Sequence, residues 1–225
     1  MLAATQSPTS ITDAPMHPTT TLPARRLEPA DMVWATALLE AACADHPVLK
    51  YCCTGSDAKS QKIWLLEQLL RFGLRYGRVY TNADASAIAV WLGPSHPAVT
   101  LQRLLRMGLL PAAVWRLDWA GFQRLRHFLV ASAWLRRQSL TATSHYYLLA
   151  LAVRPAARGH GLGRRLMQAT LAAMQATHAP CYLDAQRSEI LLFFQRLGFQ
   201  TTGQCSAGHD AGAPMNWGLM REGHA

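Results

Sequence analysis

The chain has 225 residues, half of them hydrophobic, and carries 22 basic against 13 acidic side chains for a formal charge of +9. That is enough apolar material for one good core and, by length, for one domain. Five cysteines without metal spacing and nine histidines without an HxxxH or HExxH pair argue against a metal site or a disulfide framework, no window is long and apolar enough to span a membrane, and free thiols fit a reducing cytoplasm.

Lysine occurs only at Lys50, Lys59 and Lys62, so arginine carries the basic excess. This suits either a nucleic-acid surface or a pocket for a polyanionic small ligand. No basic run is interleaved with aromatics in the manner of the first, so no nucleic-acid partner is expected, and no membrane partner either. Residues 1–24 are rich in Thr, Pro, Ser and Ala with a single charge at Asp13, and read as a disordered tail. Residues 25–225 form the domain.

Arg25 to Leu27 reads as a short first strand. Pro29 suits the first position of a helix running to about Ala44, with Glu28 and Asp31 at its positive end. A second helix is expected from Ala58 to Tyr76, capped by Asp57 and stopped by Gly77. Arg78–Thr81 and Ser86–Leu92 form a hairpin around Asn82 to Ala85, ended by Gly93-Pro94. Residues 95–142 hold Trp115, Trp119 and Trp134 among seven arginines with one acid, Asp118, and predict two or three helices broken near Gly108 to Pro111. Three readings of this insertion compete: a packed module with a solvated basic face, a lid over a substrate, and a membrane-surface helix over 101–137.

His145 to Val153 is a short aromatic and aliphatic run closed by Pro155, a buried strand. Arg158-Gly159-His160-Gly161-Leu162-Gly163 follows, and then Leu162, Leu166, Ala169 and Ala173 recur on one face of a helix. The glycines therefore sit where a strand turns into a helix. The first helical turn has N–H groups without internal partners and the positive end of the peptide dipoles, and bare glycines admit an anion to it. A P-loop needs Lys and then Ser or Thr after the last glycine, whereas Arg164-Arg165 stand here; a dinucleotide loop needs a glycine where Arg164 stands. Beyond this turn come a strand from Pro180 to Ala185, a short helix from Ser188 to Leu197, a strand from Phe199 to Cys205, a polar loop, and a last strand from Pro214 to Arg221.

The spacing Arg158-x-x-Gly161-x-Gly163 after Leu148-x-x-Leu151-x-Val153-x-Pro155 resembles the acyl-CoA pyrophosphate loop of the GNAT acetyltransferase superfamily. So do Ala87 to Trp91 in the third strand, Phe193-Phe194-Gln195-Arg196-Leu197-Gly198-Phe199, and Pro214-x-x-Trp217, in the order found among proteins similar to puromycin N-acetyltransferase. The resemblance implies an α/β (α+β) fold: a mixed twisted sheet splayed between strands 4 and 5, helices on both faces, and a helical insertion between strands 3 and 4. It implies acetyl-CoA as co-substrate, with pantetheine pairing to the backbone near Leu151 and Val153, and the pyrophosphate held by the N–H groups of Arg158, Gly159, His160, Gly161, Leu162, Gly163 and Arg164.

Acetylation of an amine requires a base to take a proton from the ammonium, donors for the developing oxyanion, and tolerable charge on the departing thiolate. The base candidates are Asp184 at the end of the fifth strand, His145 at the start of the fourth, and Glu189. Each has an ordinary alternative: a helix cap, an exposed strand start, an acid in a first turn. Phe194 stands where many relatives have a proton-donating tyrosine. The thiolate then leaves unassisted or through water, or Tyr146, Tyr147 or Tyr182 substitutes; otherwise the chain is a catalytically silent acyl-CoA-binding module. Trp91, Tyr146 and Trp217 are candidates to line the acceptor pocket, against the alternative that they are core. The expected reaction is transfer of acetyl to a primary amine of a small molecule by direct attack in a ternary complex.

Overall fold

The computed structural model describes residues 24–95, 97–141 and 144–223. The tail expected over 1–24 lies, apart from Ala24, outside them. Seven strands form one sheet in the order β1-β2-β3-β4-β5-β7-β6. They are β1 (Arg25–Arg26), β2 (Gly77–Thr81), β3 (Ala87–Leu92), β4 (Tyr146–Val153), β5 (Cys181–Ala185), β6 (Gln200–Ser206) and β7 (Met215–Arg221). Every neighbouring pair is antiparallel except β4 with β5.

That parallel pair is short. Tyr146, Tyr147 and Leu148 face Cys181, Tyr182 and Leu183, and beyond them β4 runs on to Val153 without β5. Against β3, β4 shifts register between Val90 and Trp91, whose partners are Ala150 and Leu148. Leu149 is thus an extra residue at the point where β4 leaves β5, and a bulge there bends the strand and re-aims its backbone. The splay expected from the sequence is present at this place.

Eight α-helices occur among the described residues: α1 (Met32–Ala42), α2 (Pro47–Cys52), α3 (Ala58–Tyr76), α4 (Leu101–Arg106), α5 (Leu109–Arg116), α6 (Trp119–Ser139), α7 (Leu162–Met174) and α8 (Leu191–Gln195). Helix α3 has the bounds its pattern gives, although the Asp57 side chain makes no capping bond. The first helix opens as a 3-10 turn over Pro29–Asp31, where Glu28 and Asp31 form a reciprocal capping box. Helix α2 was not anticipated, because Asp45-His46-Pro47 reads as a stop. Pro47 instead starts a new helix at its first turn.

The period-two alternation of the strands divides the core. Tyr146, Leu148, Cys181, Leu183 and Leu219 pack with Leu166, Met167 and Leu171 of α7 and with Phe194 and Phe199. On the other face Val79, Ile88, Val90 and Ala152 meet Leu38 and Leu39 of α1 and Leu66 and Leu70 of α3. Helix α6 lies over β6 and β7 on this second face. Its residues Ser132, Leu135, Arg136 and Ser139 recur at 3, 1 and 3 and point inward; all but half-buried Ser139 are buried. The breaks in the insertion fall at Gly108, in a left-handed conformation with φ 67°, and at Leu117-Asp118, where the aspartate carboxylate caps α6 by accepting from Gly121 N at 2.5 Å.

Candidate active site

The glycine turn enters α7 through Gly159 at φ 83° and Gly161 at φ 70°, and Gly161 is the N-cap. Left-handed backbone is open to glycine and costs other residues about 1–2 kcal/mol. Gly161 has no side chain to cap the helix, and α7 has no acid in its first turn. The first N–H groups of the helix are therefore left for another acceptor. Gly163 permits close approach: a Cβ there meets Val153 Cγ2 at 3.2 Å and the Phe193 ring at 3.8 Å.

Three arginines attend this turn in different ways. Arg158 is folded back, donating from Nη2 to the Ala42 carbonyl at 2.8 Å and from Nε to the Val153 carbonyl at 3.3 Å, so it ties the turn to the C-terminal carbonyls of α1. Arg165 has a buried Nε with no partner, and its Nη1 lies 4.0 Å from the place of a Gly161 Cβ. Arg164 is exposed at the rim. His160 Nδ1 lies 2.9 Å from the Arg158 carbonyl, which can only accept, so the ring proton sits on Nδ1. A bare helix N-terminus beside an unpartnered buried guanidinium nitrogen fits a diphosphate.

Where β4 and β5 part, a polar cluster fills the face under α6. Tyr147 donates to Asp184 Oδ2 at 2.6 Å and Tyr182 to Oδ1 at 2.8 Å. The two rings are register partners with centroids 5.8 Å apart. Arg136 lies over the Tyr147 ring at 4.7 Å. Asn216 donates to Ser132 Oγ at 3.1 Å and accepts from Gln186 Nε2 at 2.7 Å. Gly218 makes room for this: a Cβ there meets Tyr182 Oη at 2.7 Å and Ser139 Oγ at 3.1 Å.

Burial pushes the Asp184 carboxyl above its ordinary value, opposed by its bonds to Tyr147 and Tyr182, by the charge of Arg136 and by Ser132. Burial, then the neighbouring carboxylate, raises Tyr147 and Tyr182 well above the usual phenol range. Both phenols therefore remain donors. The Asp184 residue is part-buried, with its carboxylate held between the two phenols.

Tyr147 and Asp184 of the expected catalytic residues are brought together. His145 is buried one residue ahead of β4, at the end away from the glycine turn, and is not among the groups bonded to Asp184. Glu189 is an exposed acid in a 3-10 turn. Trp91, Tyr146 and Trp217 lie together away from Asp184. They pack in or against the core beneath α7, on the face of the sheet opposite Asp184. Phe194 lies in that core too, edge-on to Phe193 and Phe199.

Reasoning from sequence missed His46, Arg136, Ser132 and Asn216. His46 precedes α2 and is held toward the end of β5 by a loop pinned through Arg187, which donates to the Asp45 carbonyl. Burial, then the charge of Arg187, lowers His46 from 6.5 to about 4 against a bond with Gln186, and its buried Nδ1 has no partner. The signal for Arg136 and Ser132 was their spacing on α6, hidden because the inward stripe is mostly polar.

Residues 124–201, from within α6 to the start of β6, match the model of the acetyltransferase (GNAT) domain family. Over these residues the chain is similar to a GNAT acetyltransferase domain. Among curated proteins the chain is similar to an uncharacterised N-acetyltransferase of Schizosaccharomyces pombe, 25% identical over 182 residues that cover 78% of this chain and 73% of the relative. Among solved structures it resembles a histone acetyltransferase HPA2-related protein of Corynebacterium glutamicum at TM-score 0.60 and 18% identity, covering 90% and 97% of the two chains. Arylalkylamine N-acetyltransferase 2 of Aedes aegypti matches at TM-score 0.62 and 14% identity, covering 89% and 98%. The polyamine N-acetyltransferase of Drosophila melanogaster matches at 0.57 and 18%, covering 88% and 98%. At these identities the solved structures establish the fold alone, a mixed sheet with helices on both faces.

Proposed function

We propose that this GNAT enzyme transfers acetyl from acetyl-CoA to a primary amine of a small molecule, by direct attack within a ternary complex in the cytoplasm. The observation that carries the proposal is the juxtaposition, at one splayed strand pair, of an uncapped helix N-terminus and a buried carboxylate bonded by two phenols. The turn from Arg158 to Arg164 holds the diphosphate by its N–H groups, with Arg165 beside it, and the backbone of Leu151 and Val153 runs along the pantetheine. Acetyl-CoA supplies the activated thioester when bound.

Asp184 accepts the proton that the ammonium form of the acceptor must lose, leaving a neutral amine and a carboxylic acid; its raised affinity for protons suits that task. Tyr147 and Tyr182 position its two oxygens, and either hydroxyl serves as the proton donor that Phe194 is not. The Leu149 bulge interrupts the β3–β4 ladder, and the backbone N–H groups there are the candidate donors to the developing oxyanion. The cysteines support direct attack over a covalent relay: burial pushes Cys43, Cys53 and Cys181 up to about 11 and Cys52 to about 12, so none is poised as a thiolate. The likeness to a polyamine N-acetyltransferase and an arylalkylamine N-acetyltransferase favours small amines.

Phe194 favours a second reading, an acyl-CoA-binding module without turnover. One assay separates the two: thiol release from acetyl-CoA with polyamines, arylalkylamines and aminonucleosides. Turnover by the parent that Asp184→Asn lowers establishes the first. Coenzyme A binding without turnover on any amine, with activity gained in Phe194→Tyr, establishes the second.

A further inference from the structure

The insertion has a second face that the active site does not use. On α6, Trp119, Arg126, Val130, Trp134 and Arg137 recur at 7, 4, 4 and 3, one line along the helix opposite the buried Ser132–Ser139 stripe. All five are exposed, Trp119 to 65%, Val130 to 61% and Trp134 to 52%. From its first to its last residue this line is about 27 Å long. Trp115, at the end of α5, is 90% exposed and stands four residues before Trp119, no more than about 14 Å away. Leu101 and Leu105 of α4 and Val114 of α5 extend the exposed apolar surface, with Arg106 and Arg116 exposed beside them.

Between Asp84 and Asp184 the one acidic residue is Asp118, and its carboxylate is used to cap α6. We propose that the outer face of α4–α6 is a docking surface for an anionic lipid bilayer, with the tryptophans and aliphatic side chains at the headgroup level and the arginines on lipid phosphates. Large indoles mixed with cationic heads on one helix face, with no acid among them, match the chemistry of such an interface. The surface departs from the expectation that no membrane is a partner; exposure, which the sequence does not display, is what reverses it. A second copy of the chain is a poorer occupant, because the same face would set arginine against arginine in a protein already at +9. Single-stranded nucleic acid accounts for tryptophan and arginine by stacking and phosphate contact, but gives Val130, Leu101 and Leu105 nothing to do.

The test uses the full chain with sedimentable vesicles of phosphatidylcholine, alone or with about one-third phosphatidylglycerol. Binding is expected to the mixed vesicles only, with a blue shift of tryptophan emission, and release at about 0.5 M salt. Trp115→Ala with Trp119→Ala is expected to weaken binding about tenfold or more. Arg126→Gln with Arg137→Gln is expected to weaken it about fivefold per arginine. All four residues are exposed, so circular dichroism should be unchanged. The proposal is overturned by failure to bind the anionic vesicles at low salt, or by binding that neither double variant alters. It is also overturned if a dimer seen by light scattering becomes monomeric in the tryptophan variant while vesicles are ignored, or if a single-stranded oligonucleotide is retained in their place.

Discussion

The two faces of the central sheet come from the same strands and nearly the same residue types, yet one is dry and the other polar. Beneath α7, Tyr146, Leu148, Leu183 and Phe194 form ordinary core, and the Tyr146 hydroxyl accepts from Thr177 Oγ1 at 3.4 Å. Beneath α6, the adjacent residues Tyr147 and Asp184, with Tyr182, form a closed hydrogen-bonded set. Side chains of successive strand residues point to opposite faces, so a one-residue step turns a space-filling tyrosine into a positioning one. The polar set lies on the face whose helix brings polar side chains down to it.

The largest effect expected from breaking this contrast is at its centre. Asp184→Asn should lower kcat/KM by about 10²- to 10⁴-fold while coenzyme A affinity by calorimetry stays near the parent's. Its neighbour on the dry face, Leu183→Ala, should instead cost about 2–5 kcal/mol in urea unfolding. Retained activity in Asp184→Asn would remove the distinction between the faces.

His46 gives the next effect, at the rim of the polar face. Its folded value, about 4, is below the unfolded 6.5, so the unfolded chain takes up the proton first on acidification. The corresponding stability is complete above about pH 6.5 and is lost as pH falls toward 4, roughly 3 kcal/mol at about 1.4 kcal/mol per pH unit. Urea titrations across this range should show the loss in the parent and a flatter profile in His46→Gln.

At the glycine turn, Gly161→Val places a β-branched residue in left-handed backbone, at a cost of about 1–2 kcal/mol. Coenzyme A affinity should weaken about tenfold as the turn rearranges, read by calorimetry. The smallest expected effect sharpens the comparison most. Tyr147→Phe leaves a buried carboxylate oxygen short of a donor and should cost about 1–3 kcal/mol, whereas Tyr146→Phe should lie within about 0.5 kcal/mol of the parent.

Much of this architecture was legible in the sequence. Helix α3, the hairpin, the glycine turn and the order of strands follow from local signals: Gly77 after Tyr76, Asn82 to Ala85 between apolar runs, and glycines between a strand and an amphipathic helix. Asp184 and Tyr147 were singled out because amine acetylation requires a base and a donor, and the structure places the two side chains in contact. That Trp91, Tyr146 and Trp217 pack on the face opposite Asp184 was illegible for one physical reason: alternation says that neighbours face opposite ways but not which helix covers each face. Arg136 and His46 were illegible because each acts from a segment whose packing partner, β4 for one and the end of β5 for the other, is distant in sequence.

The seam of the molecule has a mechanical meaning. The half of the sheet made of β1 to β4 is joined to the half made of β5 to β7 by three parallel rungs alone, from Tyr146 to Leu148. A cleft walled by two stiff blocks and closed by so brief a ladder widens by flexing at its apex, without sacrificing the long antiparallel pairings to either side. Breadth of the gap is thereby set by how α6 and α7 brace the two blocks.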